Sequence, residues 1–227
     1  MIKTVFVDYD DTLHDSQYIF ATKLDGFLKI PGKKLWELYL KDIHRGIIHR
    51  KYPERHDDGI FHCKLLFEHI NVPFDLELAK KFLKIYHEAR EETWTHPRFF
   101  SKTESFLQTI RDMNLKLCLT TGDFAEEKAE CIHRTFKKEF FDYIFDEVKL
   151  GFRKLDPKYY IKALTESGSS NTETICIGDA LEMDIESSKA VGIETIWLNR
   201  RGEKLGKIQP NFIARDLDDA LKYIVKH

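Results

Sequence analysis

Short apolar runs that alternate with helical stretches constrain the fold of this chain of 227 residues more than any other feature. The clearest runs read as buried β-strands and lie at residues 2–7, 115–119, 174–177 and 193–198, with a weaker one at 143–145 and a short candidate near 212–213. Helical patterns fill the intervals at residues 103–113, 124–136, 157–167, 181–191 and 217–225. This alternation predicts an α/β fold with a parallel sheet and helices on both of its faces.

Residues 16–98 break the alternation, because their apolar side chains recur only at helical spacing. The clearest stripe is Ala79, Phe82, Leu83 and Tyr86. We therefore predict an all-helical cap domain of residues 16–98, inserted between the first two strands of a core formed by residues 1–15 and 99–227. The insert leaves and returns beside the edge where the first strand ends, which suits a lid with hinges near residues 14–17 and 95–101.

Composition narrows the classes of function. The chain has 36 Lys and Arg against 38 Asp and Glu and no sustained basic block, so we expect no nucleic-acid partner. No apolar run approaches membrane-spanning length, and the first residues form a strand without a signal-peptide pattern. We therefore expect a cytoplasmic protein without a membrane partner. The four cysteines are widely separated, which favours buried thiols.

Two acids, Asp8 and Asp10, directly follow the first strand. Residues two apart on an extended chain project to the same side, and open α/β sheets place their ligands at this edge. Two carboxylates this close repel each other unless a proton or a cation intervenes. A magnesium site in which one carboxylate is also a nucleophile would explain the pair. A solvated acidic turn would explain it too, and the pair alone favours the turn.

Two further segments place polar groups near the same edge. Thr120 and Thr121 end the second strand before Gly122, where a hydroxyl and backbone N–H groups can hold an oxyanion, although an ordinary turn also fits. Lys154 comes just before a helix start at Asp156 and Pro157. It is either a surface lysine or a fixed cation that neutralises phosphate and the crowded aspartates.

A last segment repeats the pattern of a strand that ends in an acid. Asp179 follows an apolar strand and could complete a cation site with Asp8. Asp184 falls in the first turn of the next helix, where favourable electrostatics at the start of a helix would also explain an acid.

In order and spacing, these segments resemble the motifs of the haloacid dehalogenase-like (HAD) hydrolase superfamily, most closely its phosphatases with a helical cap after the first strand. The resemblance covers essentially the whole chain and implies a Rossmann-like core. Its motifs match Asp8-x-Asp10-x-Thr12-Leu13, then Thr120, then Lys154, and finally Gly178-Asp179-x-x-x-x-Asp184.

The resemblance also implies a role for each matched residue. Asp8 would attack phosphorus to form an aspartyl-phosphate, and Asp10 would protonate the leaving alcohol and later deprotonate water. Mg²⁺ would be held by Asp8, Asp179 and the carbonyl of Asp10, while Asp184 would steady Lys154 or a metal-bound water. The phosphoryl oxygens would be held by Lys154, Thr12, Thr120, and the backbone N–H groups of Asp11 and Thr121.

These roles imply a magnesium-dependent phosphatase that acts on a small phosphorylated metabolite, as a monomer or homodimer. Asp10 argues against a dehalogenase, because a halide leaves without a proton. A phosphohexomutase shares the same motifs and stays open as an alternative. A non-enzymatic phospho-accepting switch is less favoured, because its phosphorylated aspartate usually ends a middle strand and no helical insert follows the first strand.

One stretch of the insert, residues 42–59, is rich in cations and histidines. Such a run is usually a solvated loop. The sharper interpretation is a site for an anionic or polar leaving group, such as a sugar phosphate, a nucleotide or a small carboxylate. Arg45 and Arg50 are the candidate contacts.

Overall fold

The computed structural model describes residues 1–227 and confirms the predicted α/β architecture. Six parallel strands form one sheet in the order β3-β2-β1-β4-β5-β6. The strands are β1 (Thr4–Val7), β2 (Lys116–Thr120), β3 (Tyr143–Phe145), β4 (Thr174–Gly178), β5 (Glu194–Leu198) and β6 (Phe212–Ala214). Because β1 lies between β2 and β4, the strand order reverses beside it, and such a reversal opens a crevice at the carboxyl ends of the strands.

The helices fall into two groups: the first five lie within residues 16–96, and the remaining six lie after residue 96. The α-helices are α1 (Ser16–Lys23), α2 (Gly32–Glu37), α3 (His49–Lys51), α4 (Gly59–His69), α5 (Leu76–Thr95), α6 (Thr103–Asp112), α7 (Ala125–Phe136), α8 (Glu147–Leu150), α9 (Pro157–Ser167), α10 (Ser187–Lys189) and α11 (Leu217–Ile224). Leu38–Ile48 and Leu181–Glu186 are π-helical, and short 3₁₀ turns lie at Phe27–Lys29, Pro53–Arg55 and Asn171–Glu173.

Both faces of the sheet are covered by apolar side chains. Val5 and Val7 of β1 belong to one buried cluster with residues of α6, α7 and α11. Phe6, which points to the other face, packs with Tyr159 and Tyr160 of α9 in a second cluster. The alternation along β1 therefore anchors the strand from both sides, as parallel sheets require, and fixes the direction of the residues that follow it.

The chain divides into two compact units. The core unit comprises Met1–Asp15 and Pro97–His227, and the insert unit comprises Ser16–His96. The insert unit is helical and has its own apolar core, which includes Trp36, Phe67 and Phe82. No helix of either unit has both the length and the apolar character needed to cross a membrane.

One predicted helix takes a different form. The pattern predicts a continuous helix over residues 181–191, whereas the structure has the π-helical Leu181–Glu186 followed by the short α10. The wider turn accompanies a local constraint at the start of the segment, where Asp184 Oδ2 accepts a hydrogen bond of 2.9 Å from the N–H of Ala180. Short π-helical segments often occur at functional sites.

Candidate active site

The carboxyl ends of three adjacent strands bring the candidate residues together. Asp8 follows β1, Thr120 ends β2, and Asp179 follows β4. The N–H of Asp8 donates to the carbonyl of Ile177 at 3.0 Å, so the pairing of β1 with β4 continues up to the acid. These residues lie where the strand order reverses, which is the usual ligand-binding position in an open α/β sheet.

Lys154 is the centre of a buried ion-pair network. Its Nζ lies 2.7 Å from Asp8 Oδ1 and 2.6 Å from Asp184 Oδ1, and it donates to the carbonyl of Thr120 at 2.8 Å. Burial alone would lower the pKa of Lys154, but the carboxylates of Asp184 and Asp8 raise it well above its usual value. The lysine is therefore a fixed cation at the strand ends and not a surface residue.

The backbone around Lys154 explains why it is held so firmly. As predicted, α9 begins at Pro157 with Asp156 as its N-cap, whose Oδ1 accepts from the N–H of Lys158 at 2.9 Å. Tyr159 of the same helix donates its hydroxyl to the carbonyl of Thr121 at 3.0 Å. The start of α9 is thus tied to the end of β2, and Lys154 lies on the turn between α8 and α9.

The charges near Asp8 do not balance. Burial raises the pKa of the Asp8 carboxyl to about 8; Lys154 opposes this rise, whereas the carboxylates of Asp184, Asp179 and Asp10 add to it. One buried lysine therefore faces more negative charge than it can neutralise. Such a group of acids is stabilised by a further cation.

The donor set fits a hard divalent cation. Oxygens of Asp8, Asp179 and Asp184 all lie within 4.8 Å of one another. Carboxylate oxygens are the ligands that Mg²⁺ prefers. Both oxygens of Asp184 are already engaged, Oδ1 with Lys154 and Oδ2 with the N–H of Ala180. Asp8 and Asp179 are therefore the carboxylates best placed to bind the ion directly, with Asp184 holding Lys154 behind them.

Gly178, at the end of β4, makes the position of Asp184 possible. A Cβ atom at residue 178 would lie 2.1 Å from both Cγ and Oδ2 of Asp184. No side chain can be accommodated at that separation without moving the carboxylate. The glycine of the last motif is therefore required by a close approach, and the sequence alone does not reveal this reason.

Two buried hydroxyls are available to a phosphoryl group. Thr12 Oγ1 and Thr120 Oγ1 are buried and have no hydrogen-bond partner. A buried polar atom without a partner costs free energy unless a ligand or water completes it. Both lie in the motifs that end β1 and β2, so they are suited to bind oxygen atoms of a ligand at this edge.

The two backbone donors expected to assist them are already in use. The N–H of Asp11 donates to the carbonyl of His14 at 2.7 Å, and that of Thr121 donates to the carbonyl of Phe145 at 3.0 Å. The turn after β1 and the pairing of β2 with β3 satisfy both groups here. Their contact with phosphoryl oxygens stays a prediction.

Lys128 of α7 is the main site residue that the sequence analysis missed. Its buried Nζ lies 2.8 Å from Asp10 Oδ2, 2.8 Å from Thr121 Oγ1 and 2.9 Å from Asp123 Oδ1. Burial alone would lower its pKa, but Asp10 and Asp123 raise it. One signal was present: Lys128 falls at helical spacing with buried Ala125 and Ile132, which places it on the inward face.

Two arginines after β5 approach the turn that follows β1. Arg201 lies 2.9 Å from Asp11 Oδ2, and Arg200 donates to the carbonyl of Thr12 at 2.9 Å. Asp11 has a φ of 57°, so this non-glycine residue occupies the left-handed region. A small open cleft adjoins these groups, and it is lined by Asp11, Asp179, Trp197, Leu198, Asn199, Arg200, Arg201 and Glu203.

Arg45 and Arg50, the candidate contacts to a leaving group, lie in the insert unit. Arg45 is part of the π-helical Leu38–Ile48 and is partly buried, while Arg50 in α3 is exposed. No ligand-binding role for either arginine follows from the structure within the insert unit. Their contact with a leaving group stays a prediction.

Comparison with known proteins agrees with this fold. A family model described as haloacid dehalogenase-like hydrolase matches residues 5–198. The chain belongs to this family and is an enzyme of the hydrolase class.

Curated relatives are named as phosphatases. The chain is 24% identical to the glyceraldehyde 3-phosphate phosphatase of Methanopyrus kandleri over 204 residues, which cover 88% of this chain and 85% of the relative. It is 27% identical to the pyrimidine 5'-nucleotidase YjjG of Escherichia coli over 125 residues, or 54% of this chain and 55% of the relative.

Solved structures with the same fold include a magnesium-bound HAD-hydrolase and a haloacid dehalogenase. The HAD-hydrolase YfnB from Bacillus subtilis, bound to magnesium, matches with a TM-score of 0.73 at 20% identity over 100% of this chain and 99% of that one. The L-2-haloacid dehalogenase from Xanthobacter autotrophicus matches with a TM-score of 0.70 at 14% identity over 99% of each chain. At these identities the likeness establishes the fold, and the site must decide the reaction.

Proposed function

We propose that this chain is a magnesium-dependent phosphatase that hydrolyses a small phosphomonoester through an aspartyl-phosphate on Asp8. The observation that carries the proposal is the second acid: Asp10 follows Asp8 at the same sheet edge, and Lys128 holds its carboxylate at 2.8 Å. An alkoxide leaving group needs a proton, whereas a halide does not. The names of the curated relatives support the same class of reaction.

The chain's own residues supply the steps. An oxygen of Asp8 attacks phosphorus while the bond from phosphorus to the leaving oxygen breaks and Asp10 gives that oxygen a proton. Asp10 then takes a proton from the water that attacks the aspartyl-phosphate, which restores Asp8. Lys154 holds Asp8, and Thr12 and Thr120 would donate to phosphoryl oxygens. Magnesium, when bound by Asp8, Asp179 and the carbonyl of Asp10, would neutralise phosphate charge.

The substrate we propose is a small phosphorylated metabolite. The relatives named above act on a triose phosphate and on pyrimidine nucleotides, and both are small phosphomonoesters. We also propose that the insert unit acts as a cap that closes on the leaving group and excludes water. The interdomain movement described for the magnesium-bound YfnB supports this part of the proposal.

The test is phosphate release from a panel of phosphomonoesters with Mg²⁺. Asp8→Asn should abolish turnover, while Asp112→Asn, which changes an exposed carboxylate of the same unit, should leave it intact. Chelation should stop turnover and Mg²⁺ should restore it, whereas Ca²⁺ should inhibit because its larger and looser shell misplaces the nucleophile. Residual turnover of Asp8→Asn above about one hundredth of the parent, or full activity in excess chelator, would contradict the mechanism.

A further inference from the structure

The insert unit contains a second group of side chains that could hold a metal ion. One ligand atom from each of His44, His49 and His56 lies within 4.8 Å of the others. All three come from the stretch of the sequence that is rich in cations and histidines, for which we expected a solvated loop or an anion site. Imidazole nitrogen is a ligand that suits Zn²⁺ and its neighbours in the first transition series, and it suits Mg²⁺ poorly.

The backbone of this stretch explains why the rings meet. Leu38–Ile48 is π-helical, and the N–H of His49 donates to the carbonyl of His44 five residues earlier. A π-helical turn brings residues five apart close together, whereas an α-helix would turn them away from each other. The ring centroids of His44 and His49 are 4.3 Å apart as a result. The 3₁₀ turn Pro53–Arg55 then returns the chain, so that His56 lies 5.0 Å from His44 and 5.2 Å from His49.

A fourth histidine nearby has a different role. His62 Nδ1 lies 3.1 Å from the hydroxyl of Tyr39, and its Nε2 lies 3.1 Å from the carbonyl of Arg55. Both ring nitrogens of His62 are therefore engaged with protein atoms, and its ring packs 5.7 Å from that of His44. His62 therefore supports the cluster from behind and is not one of the candidate ligands.

A neighbouring carboxylate suits the cluster to metal binding. His56 Nδ1 lies 3.3 Å from Asp57 Oδ1, and a carboxylate on one ring nitrogen orients the other toward a metal.

We propose that His44, His49 and His56 bind one divalent transition-metal ion of the zinc type, with a fourth coordination position left to water or another small ligand. Three protein ligands with an open position are typical of tetrahedral zinc. Zinc–nitrogen bonds of about 2.0–2.1 Å require ligand atoms about 3.3 Å apart, so small side-chain rotations would draw the rings together on binding. The ion would join the end of the π-helical segment to the turn before α4. This proposal does not depend on the phosphatase reaction.

The test is zinc binding to the full chain after metal is stripped from it. Zn²⁺ is titrated against a competing chromophoric chelator, with Mg²⁺ in excess to occupy the carboxylates of the core unit. We expect one Zn²⁺ per chain. His44→Gln and His56→Gln should each weaken binding by more than about 100-fold, and Asp57→Asn by about 10-fold, which is the scale of losing an outer partner. His69→Gln, an exposed histidine of the same unit, is the matched control and should bind like the parent.

Two further readouts locate the ion. With Co²⁺ in place of Zn²⁺, the parent chain should show the strong visible bands of tetrahedral cobalt, and His56→Gln should not. Hydrogen exchange of the amides of residues 44–56 should slow on adding Zn²⁺ to the parent and stay unchanged in His56→Gln. His56 is part of the surface, with 24% of its side chain exposed, so this variant is expected to fold, and circular dichroism checks that it does.

Two results would overturn the proposal. Absence of zinc binding by the parent chain would mean that the rings only pack against each other. Binding that persists in His44→Gln and His56→Gln but disappears in Asp179→Asn would assign the ion to the core unit. Neither result would bear on the phosphatase, whose own test is phosphate release with Mg²⁺.

Discussion

The two units of this chain assemble their polar groups in different ways. In the core unit, Asp8, Thr120 and Lys154 meet from positions far apart in the sequence, because Asp8 and Thr120 lie at the ends of adjacent parallel strands and the turn before α9 brings Lys154 to them. In the insert unit, the clustered polar groups His44 and His56 come from one short stretch. A parallel sheet brings distant residues to one edge, whereas a helical insert without a sheet brings together mainly residues that are close in sequence.

The chemical character of the two clusters differs accordingly. In the core unit, opposite charges face each other. The carboxylates of Asp184 and Asp8 raise the pKa of Lys154, and the site holds more carboxylates than this one lysine can neutralise. In the insert unit, basic side chains face one another, and burial together with these neighbours lowers the pKa of His44. The first arrangement attracts a hard cation through negative charge, and the second presents neutral nitrogen donors. The predictions below test this contrast.

The largest expected effect is on stability in acid, and it concerns His14 of the core unit. His14 Nε2 accepts a hydrogen bond of 2.8 Å from the N–H of Arg98, and its ring stacks on Tyr9 with centroids 5.2 Å apart. Burial lowers its pKa from 6.5 to about 4; nearby Asp10 and Asp15 oppose this fall, while Lys128 and Arg98 reinforce it. When folding lowers the pKa of a histidine, its contribution to the free energy of unfolding is fully present above the pKa of the unfolded chain. That contribution is lost as the pH falls through the pKa of the folded chain.

Between pH 6.5 and 4 the unfolded chain binds more protons at this residue than the folded chain does. The free energy of unfolding should therefore fall by about 3 kcal/mol across this window because of His14. Urea unfolding at a series of pH values measures it. His14→Gln keeps an acceptor for the N–H of Arg98 and should flatten the slope, while the exposed His227→Gln should not. Equal slopes in His14→Gln and the parent would show that burial of His14 does not control acid stability.

The next effect concerns Lys128, which we infer positions Asp10 for proton transfer. Lys128→Met should lower kcat for an alkyl phosphate by about 100-fold, the lower end of what general acid catalysis contributes. For para-nitrophenyl phosphate, whose leaving group needs little protonation, the loss should be nearer to about 10-fold. The control is Lys138→Met, which removes an exposed ion pair with Glu104 in the same unit. Equal losses for both substrates would reduce Lys128 to a structural role.

A smaller effect tests the close approach at the end of β4. Gly178→Ala should push Asp184 away from Lys154 and lower the free energy of unfolding by about 1–3 kcal/mol, as overpacking usually does. Phosphate release should fall with it, because Lys154 loses one of its two carboxylate partners. Gly206→Ala is the matched control, since a Cβ there meets no atom within 4 Å. A stable and active Gly178→Ala protein would show that Asp184 can move without consequence.

Much of the core unit could be predicted from the sequence because the same local pattern, a short apolar strand with a polar or small residue at its end, recurs along it. The strands β1, β2 and β4 are short apolar runs whose ends are marked by an acid, a threonine or a glycine, so topology alone predicts that Asp8 and Asp179 meet. The sequence could not show which backbone donors remain available. The N–H groups of Asp11 and Thr121 are taken by hydrogen bonds that depend on the exact turn after β1 and on pairing with β3.

Long-range contacts of single side chains were equally hidden. Lys128 lies 118 residues from Asp10 in the sequence and is preceded by two glutamates, which suggests a solvated helix face. The histidine cluster was hidden for another reason. Residues 44 and 49 lie on different faces of an ideal α-helix, and only the π-helical turn brings them together. Sequence periodicity assumes regular helices, so it fails where the helix is irregular.

The smallest expected effect concerns Arg45 and Arg50, and it asks whether the insert unit also reads the substrate. If either arginine contacts an anionic leaving group, its replacement by alanine should raise KM for the best substrate about fivefold, a modest value because solvent screens charges that are not fully buried. The specificity constant for para-nitrophenyl phosphate, which needs few such contacts, should stay unchanged. Lys51→Ala, which removes an exposed cation of the same stretch, is the control. The measurement is the ratio of the two specificity constants. A ratio that stays constant in both arginine variants would show that Arg45 and Arg50 do not recognise the substrate. In this stretch, the contrast would then be between a core unit that carries out the reaction and an insert unit with a structural role.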